Sequence, residues 1–157
     1  MESIVYKGGY KYQLRKDYTV KTGIIPKEPV DTGFIALTLE GHLTVRTGYA
    51  WDGPSGPTID TQSFMRGALV HDALYQLMRE EKLNKGKDRE PADRLLQTIC
   101  LEDGMWSVRA WAAYKAVRWF GEKSADPANK VLRRETVVPS DAPNKIQWHW
   151  LFDYLPD

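Results

Sequence analysis

The spacing of the hydrophobic residues changes once along the chain, near residue 60, and this change constrains the fold more than any other feature. Before it, short runs rich in β-branched and aromatic residues, such as residues 34–39, are separated by Gly and Pro, which is typical of strands. After it, apolar residues recur every three or four positions, which is typical of helices. The order predicts an α+β fold, a small N-terminal antiparallel sheet packed on a bundle of three helices.

The length of 157 residues and the 42% of hydrophobic residues suit a single domain with its own core. The same change of pattern divides that domain into consecutive parts. We expect a β-rich part over residues 1–50, a Gly/Pro loop over 51–60, a helical part over 61–121 and an irregular tail over 122–157. Within the β-rich part, Glu40-Gly41 separates two strand-like runs, which predicts a hairpin.

The three helices are predicted near residues 61–80, 91–103 and 107–120. Pro91 is placed at the start of the second helix, because proline lacks a backbone N–H and is tolerated in the first turn. The stretch before it predicts a solvated loop in which cations alternate with acids. These cations are Lys82, Lys85, Lys87 and Arg89.

The third predicted helix is apolar around most of its circumference, which favours a buried position. Its tryptophans, Trp106, Trp111 and Trp119, are therefore interpreted as core residues, with a lipid-facing surface as the alternative. The tail carries a second apolar group: Ile146, Trp148, Trp150, Leu151 and Phe152. We expect this end to pack back on the domain or onto a partner.

Charge and cysteine content narrow the classes of partner and compartment. The 22 Lys and Arg nearly balance the 21 Asp and Glu, so we expect no nucleic-acid partner. Cys100 is the single cysteine, which excludes an intrachain disulfide framework and multi-cysteine zinc patterns and suits a reducing compartment such as the cytoplasm. No run approaches the ~20 apolar residues of a membrane-spanning helix, and no transmembrane segment is predicted.

Polar residues on the apolar face of the first helix indicate a site. His71 and Tyr75 are four residues apart and so share a helix face, with Asp72 beside them. Polar groups on such a face need partners, and Asp93 in the next helix would lie opposite His71 if the two helices are antiparallel. The Gly/Pro loop, including Asp52 and Gly56, offers backbone carbonyls to the same site. If the chain performs chemistry, we expect it here.

Taken in order, these motifs resemble the phage and prophage family catalogued as domain of unknown function 1353. The resemblance covers roughly residues 30–121. It rests on the Asp-Gly-Pro-Ser loop, the Val-His-Asp-Ala-Leu-Tyr helix, the Ala-Asp-Arg helix and the final Ala-Val-Arg-Trp-Phe-Gly. It implies a phage or prophage origin, and hence the cytoplasm of a bacterial host or a virion as the location.

A second resemblance covers about residues 49–96 and supplies a mechanism. The His-Asp-x-x-Tyr motif of phospholipases A2 is met by His71, Asp72 and Tyr75, and the nearest variant is the disulfide-free phospholipase of parvovirus capsid proteins. This resemblance implies that His71 is the general base that takes a proton from water. It further implies that Asp93 fixes the useful tautomer of the imidazole and that Tyr75 supports the carboxylates.

The same resemblance implies calcium as the cofactor. Asp72 would bind the ion together with backbone carbonyls of the loop, at Trp51, Gly53 and Ser55, because calcium takes six to eight oxygen ligands. The ion would polarise the ester carbonyl and stabilise the oxyanion. The substrate class implied is a phospholipid ester.

A structural interpretation of the same residues stays open. A helical His bonded to a carboxylate can serve only to satisfy a buried polar group. The protein would then be a non-catalytic phage accessory, virion or host-interaction protein whose partner is a host or phage protein. The two interpretations differ in whether an imidazole nitrogen is left open.

Overall fold

The computed structural model describes residues 4, 6–7, 12–51 and 62–129, and the predicted α+β class is confirmed. Most of the Gly/Pro loop and of the predicted tail lies outside these residues. The strands are β1 (Tyr6–Lys7), β2 (Tyr12–Leu14), β3 (Tyr18–Lys21), β4 (Val30–Asp31), β5 (Ile35–Leu37), β6 (His42–Val45) and β7 (Ala50–Trp51). The helices are α1 (Gln62–Arg79), α2 (Lys85–Glu102) and α3 (Ser107–Phe120), followed by 3-10 turns at Lys123–Ala125 and Pro127–Asn129.

The described strands form two antiparallel sheets, where the sequence predicted one. The first has the order β1-β2-β7 and the second the order β3-β6-β5-β4. The predicted hairpin joins β5 to β6, with Leu37 opposite Leu43 and with Gly41 at φ 77°, a left-handed conformation that suits glycine. Side chains alternate along β6, where Leu43 and Val45 are buried while His42 is exposed.

One hydrophobic cluster joins both sheets to the helices, so the two parts of the chain share a core. Its fully buried side chains include Leu14 and Leu43 from the strands, and Leu69 and Leu74 from α1. A buried cation adds a polar link, because Arg66 of α1 donates a hydrogen bond to the hydroxyl of Tyr18 in β3 at 3.1 Å. The core therefore fixes α1 against the sheet part.

Helices α1 and α2 approach each other closely at Gly67. A Cβ atom at this position would lie 2.9 Å from Cδ1 of Leu96 and 3.3 Å from its carbonyl oxygen, which is tighter than normal packing. The absence of a side chain at Gly67 therefore lets the two helices pack closely. This contact sets the distance at which polar groups of α1 and α2 meet.

The predicted start of α2 is wrong, because the helix begins at Lys85 and carries Pro91 inside it. Asn84 caps the helix, since its side-chain oxygen accepts a hydrogen bond from the backbone N–H of Lys87 at 2.9 Å. Asp88 accepts one from the N–H of Asn84 at 2.9 Å. Pro91 is on the exposed side, so its lost backbone hydrogen bond is on the solvent side of the helix. Most of the predicted solvated loop is therefore helical.

The prediction that α3 is buried is also wrong. Only Ala110 and Ala113 of this helix are buried, whereas Trp106, Trp111 and Trp119 are exposed. The helix packs through its small residues, which allow a close approach, and its large aromatic residues point the other way. None of the helices within residues 62–129 is long and apolar enough to cross a membrane.

Candidate active site

The candidate site lies between α1 and α2, where the two helices bury a cluster of polar side chains. Tyr75 follows His71 by one helical turn on the inner face of α1, and Asp93 faces them from α2. Asp93 is fully buried, Tyr75 is 2% exposed and His71 is 7% exposed. Polar groups this deep in a protein require partners.

Asp93 makes the central contacts of the cluster. Its Oδ1 atom lies 2.8 Å from Nε2 of His71 and accepts a hydrogen bond from the hydroxyl of Tyr75 at 2.7 Å. The contact that the sequence predicted between Asp93 and His71 is therefore present. The catalytic role of these residues stays a prediction.

The second imidazole nitrogen of His71, Nδ1, has a different environment from Nε2. Nδ1 of His71 lies 3.9 Å from Oδ1 of Asp72, which is beyond hydrogen-bond distance. No hydrogen bond to Nδ1 comes from any residue in the described ranges. Because the side chain of Asp72 is 33% exposed, its carboxylate borders the surface rather than the core. Asp72 and Asp93 thus occupy different environments on the two sides of the imidazole.

Two arginines complete the cluster. Arg89 was predicted in a solvated loop, which is wrong because Arg89 is buried in α2, and Arg118 was not singled out from the sequence. Arg118 of α3 donates to Oδ2 of Asp93 at 3.0 Å, which connects α3 to the site. Arg89 donates from Nε to the hydroxyl of Tyr75 at 3.2 Å and from Nη2 to the carbonyls of Val117 and Arg118 at 2.9 and 2.7 Å. Asp93 and its partners therefore tie three helices together.

The signal that could have revealed Arg89 was its spacing. Arg89 precedes Asp93 by four residues, so the two share a helix face if both lie in α2. Recognising Asn84 as the cap of α2 would have placed Arg89 inside the helix. Nothing local identifies Arg118, because its partner is 25 residues away in the sequence.

The carboxylate of Asp93 is held in its ionised form. Burial penalises the charge, but hydrogen bonds from His71, Tyr75 and Arg118 outweigh that penalty and lower the pKa of Asp93. Burial together with the bond to Asp93 raises the pKa of Tyr75, which therefore stays protonated. The cluster thus contains an anion that only accepts hydrogen bonds and a neutral phenol that donates one.

The protonated form of His71 is stabilised relative to that of an ordinary histidine. Burial opposes the imidazolium, but the carboxylates of Asp72 and Asp93 outweigh burial, and the pKa of His71 is raised above its usual value. His71 is thus a stronger base than an isolated histidine. It can accept a proton only at a pH above this raised pKa.

The predicted calcium ligands are only partly within the described residues. Trp51 ends β7 and is buried, and Asp72 borders the dyad on α1. Gly53 and Ser55, together with the site-lining Asp52 and Gly56, lie outside the described residues. Within the described chain, no group of three or more His, Cys, Asp or Glu side chains is arranged to hold a metal ion. A calcium site here would rest on one carboxylate and on backbone oxygens.

The fold and the site together define an α+β protein with a buried His-Asp dyad between two helices. The chain belongs to the family of proteins of unknown function designated DUF1353, whose pattern matches residues 29–117. This match covers more than half of the chain and confirms the first of the two resemblances. No curated protein and no solved structure matches the chain.

Proposed function

We propose that this protein is an ester hydrolase in which His71 acts as the general base, with a phospholipid-type ester as its substrate and calcium as its cofactor. One observation carries the proposal. Asp93 bonds to Nε2 of His71 at 2.8 Å, whereas Nδ1 receives no hydrogen bond from the described residues. A carboxylate that orients one nitrogen while the other makes no hydrogen bond is the arrangement that a histidine base requires.

The tautomer of His71 follows from its partner. An ionised carboxylate only accepts hydrogen bonds, so in the neutral imidazole Nε2 carries the proton and Nδ1 keeps its lone pair. A water molecule at Nδ1 would transfer a proton to His71 while its oxygen attacks the ester carbonyl carbon. The proton then passes from Nδ1 to the leaving alkoxide, which departs as an alcohol and leaves the fatty acid.

Asp72 fits the role of a calcium ligand by its position. Its carboxylate is partly exposed, receives no hydrogen bond from the described residues and lies 3.9 Å from the nitrogen that would hold the water. The remaining oxygen ligands would be backbone carbonyls of Trp51, Gly53 and Ser55, because calcium accepts such ligands. When bound, calcium supplies a positive charge that polarises the ester carbonyl.

The second candidate is a non-catalytic protein of a phage or its host cell, and the arginines favour it. Arg118 and Arg89 bind Asp93 and Tyr75 from α3 and α2, so the cluster holds three helices together. Such a clasp would stabilise the fold without any reaction. The partner would then be a host or phage protein, met in the bacterial cytoplasm or on a virion.

A hydrolysis assay separates the two candidates. The wild type, His71→Gln and His42→Gln are incubated with a fluorogenic phospholipid ester, with calcium or with a chelator. His42→Gln is the matched control, because His42 is exposed on β6 and far from the dyad in sequence. General-base catalysis contributes about 10²- to 10⁴-fold, so His71→Gln should lose that factor while the control keeps the full rate. Absence of hydrolysis by the wild type with calcium, or a full rate in His71→Gln, would refute the proposal.

A further inference from the structure

An apolar face of α3 points away from the core. Val108, Trp111 and Trp119 are 78%, 53% and 71% exposed, respectively. With Lys115 they follow one another at spacings of three, four and four residues, so all four share one helix face. We call these four residues the α3 aromatic face. It is flanked at the two helix ends by Trp106 and Phe120, which are 85% and 79% exposed.

The exposed apolar residues of this face share one side of a helix and are not scattered singly over the surface. Contiguous exposed apolar residues mark a site of interaction with a protein, a ligand or a membrane. The buried side of the helix is already occupied, because Ala110 and Ala113 pack against the core. The α3 aromatic face is therefore a second apolar face, free for a partner of suitable chemistry.

The charges of α3 indicate an anionic partner. The helix has no Asp or Glu between its first and last residues, and its cations are Arg109, Lys115 and Arg118, of which Arg118 is already paired with Asp93. The amine of Lys115 lies 5.5 Å from the centre of the Trp111 ring, so a cation sits within the aromatic face itself. Tryptophan beside lysine on a helix surface is typical of binding at the boundary between lipid headgroups and acyl chains.

We propose that the α3 aromatic face docks the protein on an anionic phospholipid surface. The choice of phospholipid as occupant rests on the proposed function, whereas the face itself does not. Docking there would bring the bilayer to the helix that contacts the dyad, because Arg118, which precedes Trp119, bonds to Asp93. Gly121, at the end of the same helix, lies so close to Tyr75 that an added Cβ would be 2.9 Å from its hydroxyl.

Vesicle binding tests this proposal with the full chain. Co-sedimentation is measured with vesicles of ether-linked phosphatidylcholine, with and without ether-linked phosphatidylglycerol, which contain no carboxylic ester to hydrolyse. The wild type should bind the anionic vesicles, and Trp111→Ser with Trp119→Ser should bind at least about 10-fold more weakly because two apolar anchors are lost. Leu39→Ser is the matched control, since Leu39 is 49% exposed outside the helix. It should bind like the wild type.

A charge variant and a catalytic variant complete the test. Lys115→Glu should weaken binding to the anionic vesicles and leave any binding to the uncharged ones unchanged. His71→Gln should bind vesicles like the wild type, so the experiment distinguishes a loss of hydrolysis from a loss of docking. The proposal is overturned if the wild type does not bind anionic vesicles, or if the variants of the α3 aromatic face bind them as well as the wild type. It is also overturned if the face variants convert a dimer to a monomer in sedimentation, which would make a second copy the occupant.

Discussion

Replacement of Asp93 by Asn tests how much the buried cluster contributes to stability. Asp93 is fully buried and receives hydrogen bonds from Tyr75 and Arg118, and it lies 2.8 Å from Nε2 of His71. In the variant the charge is lost while the guanidinium of Arg118 and the imidazole stay in place. Removing one partner of a buried ion pair costs about 3–5 kcal/mol, so we expect a loss of that size. Against a typical total of about 5–15 kcal/mol, this is a large fraction.

The assay is urea unfolding at pH 7, with Asp72→Asn as the control. Asp72 is partly exposed and lies 3.9 Å from Nδ1 of His71, so its variant should lose less than about 1 kcal/mol. The cluster does not hold the helices together if Asp93→Asn unfolds within about 1 kcal/mol of the wild type.

The same pair of proteins gives a pH test. Because the folded pKa of Asp93 is lowered, its contribution is present above the unfolded pKa of about 3.8 and is lost as pH falls through the folded pKa. The wild type should therefore lose this stability in acid, and the gap between wild type and Asp93→Asn should narrow there. A gap that stays unchanged as the pH falls below about 3.8, the unfolded pKa, would contradict the assigned cause.

Three further predictions follow from the same geometry. Calcium at ~100 times its dissociation constant should stabilise the wild type and His71→Gln by about 2.7 kcal/mol in thermal melts. Asp72→Asn should show no gain, because the carboxylate ligand is lost. Unchanged melting of the wild type would remove calcium from the mechanism. Because the pKa of His71 is raised, the rate of hydrolysis should increase with pH through a midpoint above about 6.5. In Asp93→Asn the midpoint should fall, because burial, which lowers the pKa of His71, is then opposed by one carboxylate fewer. A midpoint that does not move would show that Asp93 does not set the pKa of the base. Gly67→Ala should lower the free energy of unfolding, measured with urea, by about 1 kcal/mol or more. The reason is that overpacking against Leu96 outweighs the better helix propensity of alanine. A more stable variant would show that Leu96 can move aside.

Local sequence patterns were sufficient for part of the candidate site. Residues four apart on a helix share a face, so the pairing of His71 with Tyr75 could be predicted without a structure. Asp93 was predicted opposite them on the expectation that the two helices form an antiparallel pair. Nothing in these patterns shows whether an imidazole nitrogen is left without a partner, since that depends on atoms from other elements.

The start of α2 shows where a local rule fails. Pro91 suits a first helical turn, yet the capping bonds of Asn84 and Asp88 begin the helix six residues earlier. Proline is tolerated there because its side of the helix faces solvent, which only the tertiary structure decides. The consequence for the site is direct, because the added turns place Arg89 in the cluster.

The sequence by itself determined the order of strands and helices, because hydrophobic period is a property of neighbouring residues. It also determined the pair of helices that carries the dyad. Only the tertiary structure decided which side of α3 is buried. A helix that is apolar around most of its circumference has several faces that could pack. The face with Ala110 and Ala113 is the buried one, because small residues allow a closer approach. That choice leaves Trp111 and Trp119 exposed and directs Arg118 to Asp93.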